Sequence, residues 1–329
     1  MLIRPTRRQL IALAGAALCT GTARAQGPAL LTGARPVETL EGRAFASHWR
    51  VTLPSGSFGD GLRAGLEQLL VQVDRQMSPW RSDSEISRFN TGHGEAAVSP
   101  GVGRVTRAAL DIARSSAGAF DPTVGPLVAR WGFGRISGSG TGNWEGLSAE
   151  EDVLVKRDPG LTMDLCGIAK GYALDLMAAH LLESGHPDFL IDLGGELKSA
   201  GAHPEGRDWR VAIEDPRPSS EGAFAGLRLP SGLSVATSGL RAQSYGLAGN
   251  RYGHIIDPRT ARPAEGATAS VSVLDPSAMA ADGWATALVA AGVNGPEIAR
   301  RNGIAALFLI ETGEGLRVET IGGFDRQMM

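Results

Sequence analysis

Aromatic residues make up only 5% of the 329 positions, so a stacked platform of the kind that binds sugars has little to draw on. Cysteine is scarcer still. Of the two, Cys19 lies in an N-terminal leader, and Cys166 alone cannot form an internal disulfide. No apolar run reaches the roughly 20 residues that span a bilayer as a helix, which argues against an integral membrane protein. Basic blocks are missing as well; with a net charge of −3, nucleic-acid binding has little electrostatic support. No H-E-x-x-H or Cys/His spacing suggests zinc, and nothing resembles G-x-S-x-G. What is abundant is glycine, at 45 residues, the mark of many tight turns and close backbone approaches. Apolar residues at 43% and charged residues at 20% describe a folded globular chain long enough for a sizeable core.

The N-terminus reads as a targeting segment. Arg4 and Arg7-Arg8 precede an apolar run from Leu10 to Cys19, and Ala23-Arg24-Ala25 offers a small-x-small cleavage site before Gln26. Thr6-Arg7-Arg8-Gln9-Leu10 resembles a twin-arginine signal; an ordinary secretory signal with two adjacent arginines is the alternative. Residues 1–25 are therefore expected to direct export to the periplasm, where the protein could also associate with the inner membrane. Residues 26–42, bearing Gly and Pro, read as a loose arm, and 43–322 as the working domain.

Within that domain a strand is expected over Phe45–Leu53 and a helix over Asp60–Met77, with Leu62, Leu66, Leu69, Leu70 and Val73 on one face. Further helices are expected from Pro100 to Ser116, from Ile168 to Ser184 and from Ala278 to Ala291. Strands are expected at Leu161–Leu165, Phe189–Leu193, Trp209–Glu214, Gly226–Leu229, Ser234–Thr237 and Ala269–Leu274. Gly303–Ile310 and Leu316–Thr320 should close the chain as a hairpin, and the Gly-rich stretch 132–146 should be a flexible loop. Helices and strands mix without regular alternation, so the class is α+β with mostly antiparallel sheets.

Three segments could carry chemistry. In Asp164-Leu-Cys-Gly-Ile-Ala-Lys170-Gly171 a strand ends in a carboxylate and a Gly-bearing turn opens a helix. Such a turn can present amides and Lys170 to an anion, although it matches neither the Walker loop nor G-x-G-x-x-G; a tight turn with a solvated lysine would look the same. Asp282 and Thr286 stand four apart on one helix face, a pairing of hard oxygens suited to Mg²⁺ and equally at home as an ordinary helix turn. His254, in Gly253-His-Ile-Ile-Asp257-Pro258, is a candidate general base or an ordinary strand-end histidine. Trp80 after Met77 could stack on a flat ring, yet both could equally be core.

Taken together and in order, these segments resemble the ApbE family, the FAD:protein FMN transferases. The likeness runs from about Phe45 to Ile310 through Met77-Ser-Pro-Trp80, Ser84–Asn90, Phe120–Leu127, Asp164–Tyr172, Asp192–Glu196, Ala236–Gly239, His254–Thr260 and Pro276–Leu288. It implies an α+β fold related to the T-fold, with FAD in a cleft and Mg²⁺ at its diphosphate. It implies transfer of FMN from FAD to a Ser or Thr hydroxyl of an acceptor protein, with release of AMP. By position, Asp282, Thr286 and the carbonyl of Gly167 would bind the metal, and Trp80, Ala119, Phe120, Asp121, Asp164, Lys170, Ser238 and His254 would contact FAD. His254 would be the base, with Asp257 in reserve. Phe45 stands where the family carries methionine, and Cys166, where glycine is frequent, is expected as a small buried filler. For an exported chain, the acceptor would be a domain of a membrane-associated electron-transfer complex. Two other readings fit the same residues: hydrolysis of FAD to FMN and AMP, and flavin binding without turnover.

Overall fold

The structure, a computed structural model, describes residues 37–217, 220, 222–240, 244–247, 250–264 and 266–329. The leader read over 1–25 and the first part of the arm lie outside the described residues. From Val37 onward the chain is already in a sheet: β1 (Val37–Ala44) pairs along its length with β2 (Ser47–Pro54). This corrects the loose-arm reading for residues 37–42. It also splits the strand expected from Phe45, because Phe45 and Ala46 form the hairpin tip at φ 51° and 56°. The edge strand escaped notice because no residue in it is fully buried, leaving its apolar alternation faint.

Six more strands complete the main sheet: β3 (Phe189–Leu193), β4 (Glu196–Ala200), β5 (Ser234–Gly239), β6 (Thr268–Asp275), β7 (Ala305–Thr312) and β8 (Gly315–Ile321). They lie in chain order, every neighbour antiparallel. The helices are α1 (Leu62–Met77), α2 (Glu85–Thr91), α3 (Pro100–Ser115), α4 (Gly125–Arg130), α5 (Ala169–Glu183), α6 (Ala278–Ala290) and α7 (Gly295–Arg301). The fold is α+β.

Two apolar layers explain the sheet's composition. Ala306, Phe308 and Ile310 of β7 enter the larger core with residues of α1, α3, α5 and α6, whereas Leu307 and Leu309 enter a second cluster with Trp209, Leu227 and Phe324. A strand buried on both faces needs an unbroken apolar run, which is what Ala305–Ile310 supplies. The hairpin Trp209–Glu214 with Ala223–Leu229 and the 3₁₀ turn Phe324–Gln327 cover that second layer, so the domain continues past residue 322.

The stretch Leu161–Leu165 is no strand, which corrects the expectation. At its centre the backbone is paired with side chains rather than with a neighbouring strand. The Asn90 carboxamide donates to the Met163 carbonyl at 2.9 Å and accepts from its N–H at 2.7 Å, while the Lys156 ammonium donates to the Leu161 carbonyl at 3.1 Å. The Asp164 N–H then donates to the Pro122 carbonyl at 2.7 Å. A carboxamide can stand in for a neighbouring strand because it offers the same donor and acceptor.

Helices α5 and α6 cross at Gly171. A Cβ there would collide with the Ala278 carbonyl oxygen and lie 2.8 Å from the Asp282 Cβ. Gly171→Ala gains about 1 kcal/mol of helix propensity but forces the helices apart, an overpacking cost of roughly 1–3 kcal/mol or more. The variant is expected to unfold at lower denaturant; unchanged stability would show that the crossing is not close-packed.

Candidate active site

The site grows out of that crossing, because each helix caps the other. Asp175 of α5 accepts from the Ala278 and Met279 N–H groups at 2.9 and 3.0 Å and from the Ser277 hydroxyl at 3.0 Å, closing the N-terminus of α6. In return Asp282 of α6 accepts the Gly171 N–H in the first turn of α5 at 2.9 Å. The reciprocal caps fix Lys170 on one helix relative to Asp282 and Thr286 on the other. They also correct part of the anion-cradle reading, since one amide at the start of α5 is already used by Asp282.

One turn beyond Asp282, the Thr286 hydroxyl donates to the Gly167 carbonyl at 3.2 Å and lies 3.3 Å from the Ser238 hydroxyl on β5. Gly167 is glycine for a reason: a Cβ would sit 3.1 Å from Thr286 Cγ2 and 3.3 Å from Phe120 Cε2. Gly167, Ser238, Thr286 and Phe120 are thus brought together, with Asp282, only 3% exposed, one helical turn away. Burial pushes the Asp282 carboxyl up, and Lys170 and the Gly171 N–H work against that.

The donors are a carboxylate, a hydroxyl and a carbonyl, all hard oxygens. Among the described residues no group of three or more His, Cys, Asp or Glu could hold a metal. One carboxylate plus neutral oxygens suits Mg²⁺, which keeps waters and takes phosphate oxygens, and does not suit zinc. The residues therefore fit the metal that the family likeness implies.

Lys170 forms an ion pair with Glu196 at the start of β4. Glu196 is buried, and its second oxygen, Oε2, has no hydrogen-bond partner. Burial pushes its carboxyl up to about 7, with Lys170 opposing the rise and Asp282 adding to it. For Lys170 burial disfavours the charge, but Glu196 and Asp282 outweigh it and the pKa rises.

The neighbouring loops are stiffened by short-range bonds. Asp121 is buried, accepting from the Thr123 N–H at 2.7 Å and its hydroxyl at 2.6 Å; burial raises its pKa against those bonds. Ala119 and Phe120 are buried beside it, and Asp164 accepts the Cys166 N–H at 2.9 Å. Cys166 is exposed, which corrects the buried-filler expectation. Met77 is core, while Trp80 is 58% exposed, and no hydrogen bond or ring contact ties Trp80 to the cluster.

His254 follows Gly253, whose packing ties this segment to the chain just past β5. Gly253 abuts Leu240, two residues beyond Ser238; a Cβ on Gly253 would lie 2.6 Å from Leu240 Cδ2. The His254 ring meets Phe133 edge-on at 6.3 Å between centroids. Asp257 has both oxygens engaged by Arg259, at 2.9 and 3.0 Å from the guanidinium. A carboxylate so occupied is poorly placed to take a proton.

The aromatic array around His254 has no local signal in the sequence. Trp131 stacks on Tyr252 at 5.5 Å, Phe133 on Tyr245 at 5.3 Å, and the two tyrosines lie 5.6 Å apart on the hairpin Ser244–Leu247 and Asn250–Gly253. Arg130 donates to the carbonyls of Gly138 and Gly140 at 3.2 and 3.0 Å, so the stretch 132–146 is tethered rather than loose. Asp175 and Glu196 were likewise missed as site-builders, because nothing local marks a carboxylate whose partner is 26 or 103 residues away.

Comparison with known proteins points to one family. The family model described as the ApbE family matches residues 45–308. A Vibrio cholerae protein named FAD:protein FMN transferase is 37% identical over 275 residues, covering 78% of this chain and 81% of its own. One of the same name from Salmonella typhimurium is 32% identical over 332 residues, covering 93% of each. The apo flavinyl transferase ApbE of Pseudomonas stutzeri superposes with a TM-score of 0.79 at 34% identity, over 89% of this chain and 96% of that one.

Proposed function

The chain belongs to the ApbE family and is a flavin-transferring enzyme, and on that premise we propose how it works: FMN passes from FAD to a Ser or Thr hydroxyl of an acceptor protein, with Mg²⁺ required and AMP released. The observation that carries this reading is the convergence of the Gly167 carbonyl, the Thr286 hydroxyl and the Asp282 carboxylate beside Lys170. In the reaction the acceptor oxygen forms a bond to the FMN phosphorus as the bond to the AMP oxygen breaks. The proton of the hydroxyl must leave, and charge grows on AMP. Mg²⁺, held by Gly167, Asp282 and Thr286, would offset that charge when bound. Lys170 adds a fixed cation that orients the diphosphate. His254 takes the proton, since Asp257 is committed to Arg259. Phe120, Asp121 and Asp164, with Ala119, Ser238 and Trp80, line the flavin and its phosphates.

The leader-like N-terminus supports a periplasmic place of work, and with it an acceptor domain of a membrane-associated electron-transfer complex. Intact-mass measurement tests the reaction: such a domain is incubated with the protein, FAD and Mg²⁺ while AMP is followed. The acceptor is expected to gain one FMN per site, with equimolar AMP, and EDTA should abolish both. AMP without labelling would replace transfer by hydrolysis. Neither product would leave a flavin-binding protein without turnover.

A further inference from the structure

Glu196 is an expensive residue to keep where it is. Its carboxylate is buried, only Oε1 is satisfied, by Lys170, and Oε2 has no partner among the described residues. Burying a carboxylate with half its lone pairs unmatched costs more than its ion pair returns, so stability is a poor explanation for it. Its effect falls on Lys170 instead. The groups acting on the Lys170 ammonium are Glu196 from β4, Asp282 from α6 and Asp192 from β3, with Cys166 beside it, more carboxylates than cations. With these carboxylates ionised the cluster is net negative. A diphosphate approaching alone meets a lysine already neutralised and a carboxylate in excess.

We propose that Glu196 withholds the Lys170 charge from a bare diphosphate, so that the site captures FAD only together with a divalent cation. Glu196 is on this account a positioning residue that acts through Lys170. A divalent cation at Gly167, Asp282 and Thr286 reverses the sign of the site, and only then is an anionic ligand accepted. The consequence is useful to a transferase: FAD does not occupy the site in a form that cannot react. The inference rests on the reading of the site given above and adds a condition on binding that the reading does not require.

The test is equilibrium titration of the full chain with FAD, followed by flavin fluorescence, in EDTA and in Mg²⁺. Glu196→Gln keeps the side-chain volume and removes the charge. In EDTA it is expected to bind FAD at least about tenfold more tightly than the parent, because one charge in a partly desolvated site is worth that much or more. The ratio of affinities with and without Mg²⁺ should shrink accordingly. The double variant Lys170→Met with Glu196→Gln removes the pair as a unit and leaves the net charge unchanged; its metal-free affinity should stay within about twofold of the parent. This second comparison decides the matter if Glu196→Gln alone folds poorly. Metal-free binding by Glu196→Gln no tighter than the parent's overturns the proposal. So does a tenfold loss in the double variant, which would show Lys170 already serving the diphosphate. A parent that binds FAD equally in EDTA and Mg²⁺ also overturns it while leaving the transferase reading intact. A parent that binds no FAD in either condition removes both.

Discussion

Replacing His254 with alanine is expected to slow FMN transfer by about a hundredfold or more while leaving FAD affinity within roughly twofold, because positioned general bases contribute on the order of 10²–10⁴ in rate. An alcohol hydroxyl is a weak nucleophile until its proton is drawn away, and the described site offers few groups to draw it. Asp257, the nearest carboxylate in sequence, is bound through both oxygens to Arg259. Asp282 is occupied by the Gly171 N–H, and Glu196 by Lys170. Gly253, the residue before His254, abuts Leu240 just past the strand that delivers Ser238 to Thr286, and the His254 ring lies edge-on to Phe133. The measurement pairs initial rates of acceptor labelling by mass spectrometry with FAD titration by fluorescence. A rate close to the parent's would take the role of base away from His254. A large loss of FAD affinity would make it a ligand contact instead.

The parts of this site that could be read from the sequence are those whose chemistry is local. Asp282 and Thr286 share a helix face by simple spacing, and the long helices α1 and α3 follow from apolar periodicity, whereas α5 and α6 are apolar on most sides. Gly167 and Lys170 could be placed at the opening of a helix by the turn that precedes them. What the sequence did not show depends on partners distant in the chain. Asp175 looks like any helix carboxylate until α6 brings three donors to it. Glu196 follows a Gly-Gly turn, and only the fold sets it against Lys170. Leu161–Leu165 has the composition of a strand, but Asn90 and Lys156 take the place of a neighbour. The aromatic array joins Trp131 and Phe133 to tyrosines more than 100 positions away, a contact that no local pattern encodes.

Asp282 is the residue on which metal dependence should turn, and Asp282→Asn is the informative change. Asparagine keeps an oxygen to accept the Gly171 N–H, so the reciprocal capping of α5 and α6 can persist. It removes the charge that burial already disfavours, so the metal-free variant is expected to melt no lower than the parent. What it loses is the one carboxylate among the three proposed ligands; a hard divalent cation bound mainly by neutral oxygens is held far more weakly. Transfer at a fixed low Mg²⁺ concentration should therefore fall by about a hundredfold or more, a magnitude typical of removing a group that offsets transition-state charge. Part of that loss should return at high Mg²⁺, since the other oxygens remain. A second readout needs no turnover: Mg²⁺ should raise the melting temperature of the parent, because a ligand that binds only the folded state stabilises it, and should do so much less for the variant. If Asp282→Asn keeps the parent's Mg²⁺ response in both melting and transfer, the carboxylate is not a ligand, and its place would be structural, as the acceptor that closes the first turn of α5. If melting loses its Mg²⁺ response but transfer is unaffected, the cation binds there without serving the reaction, and Lys170 would have to offset the charge on AMP alone.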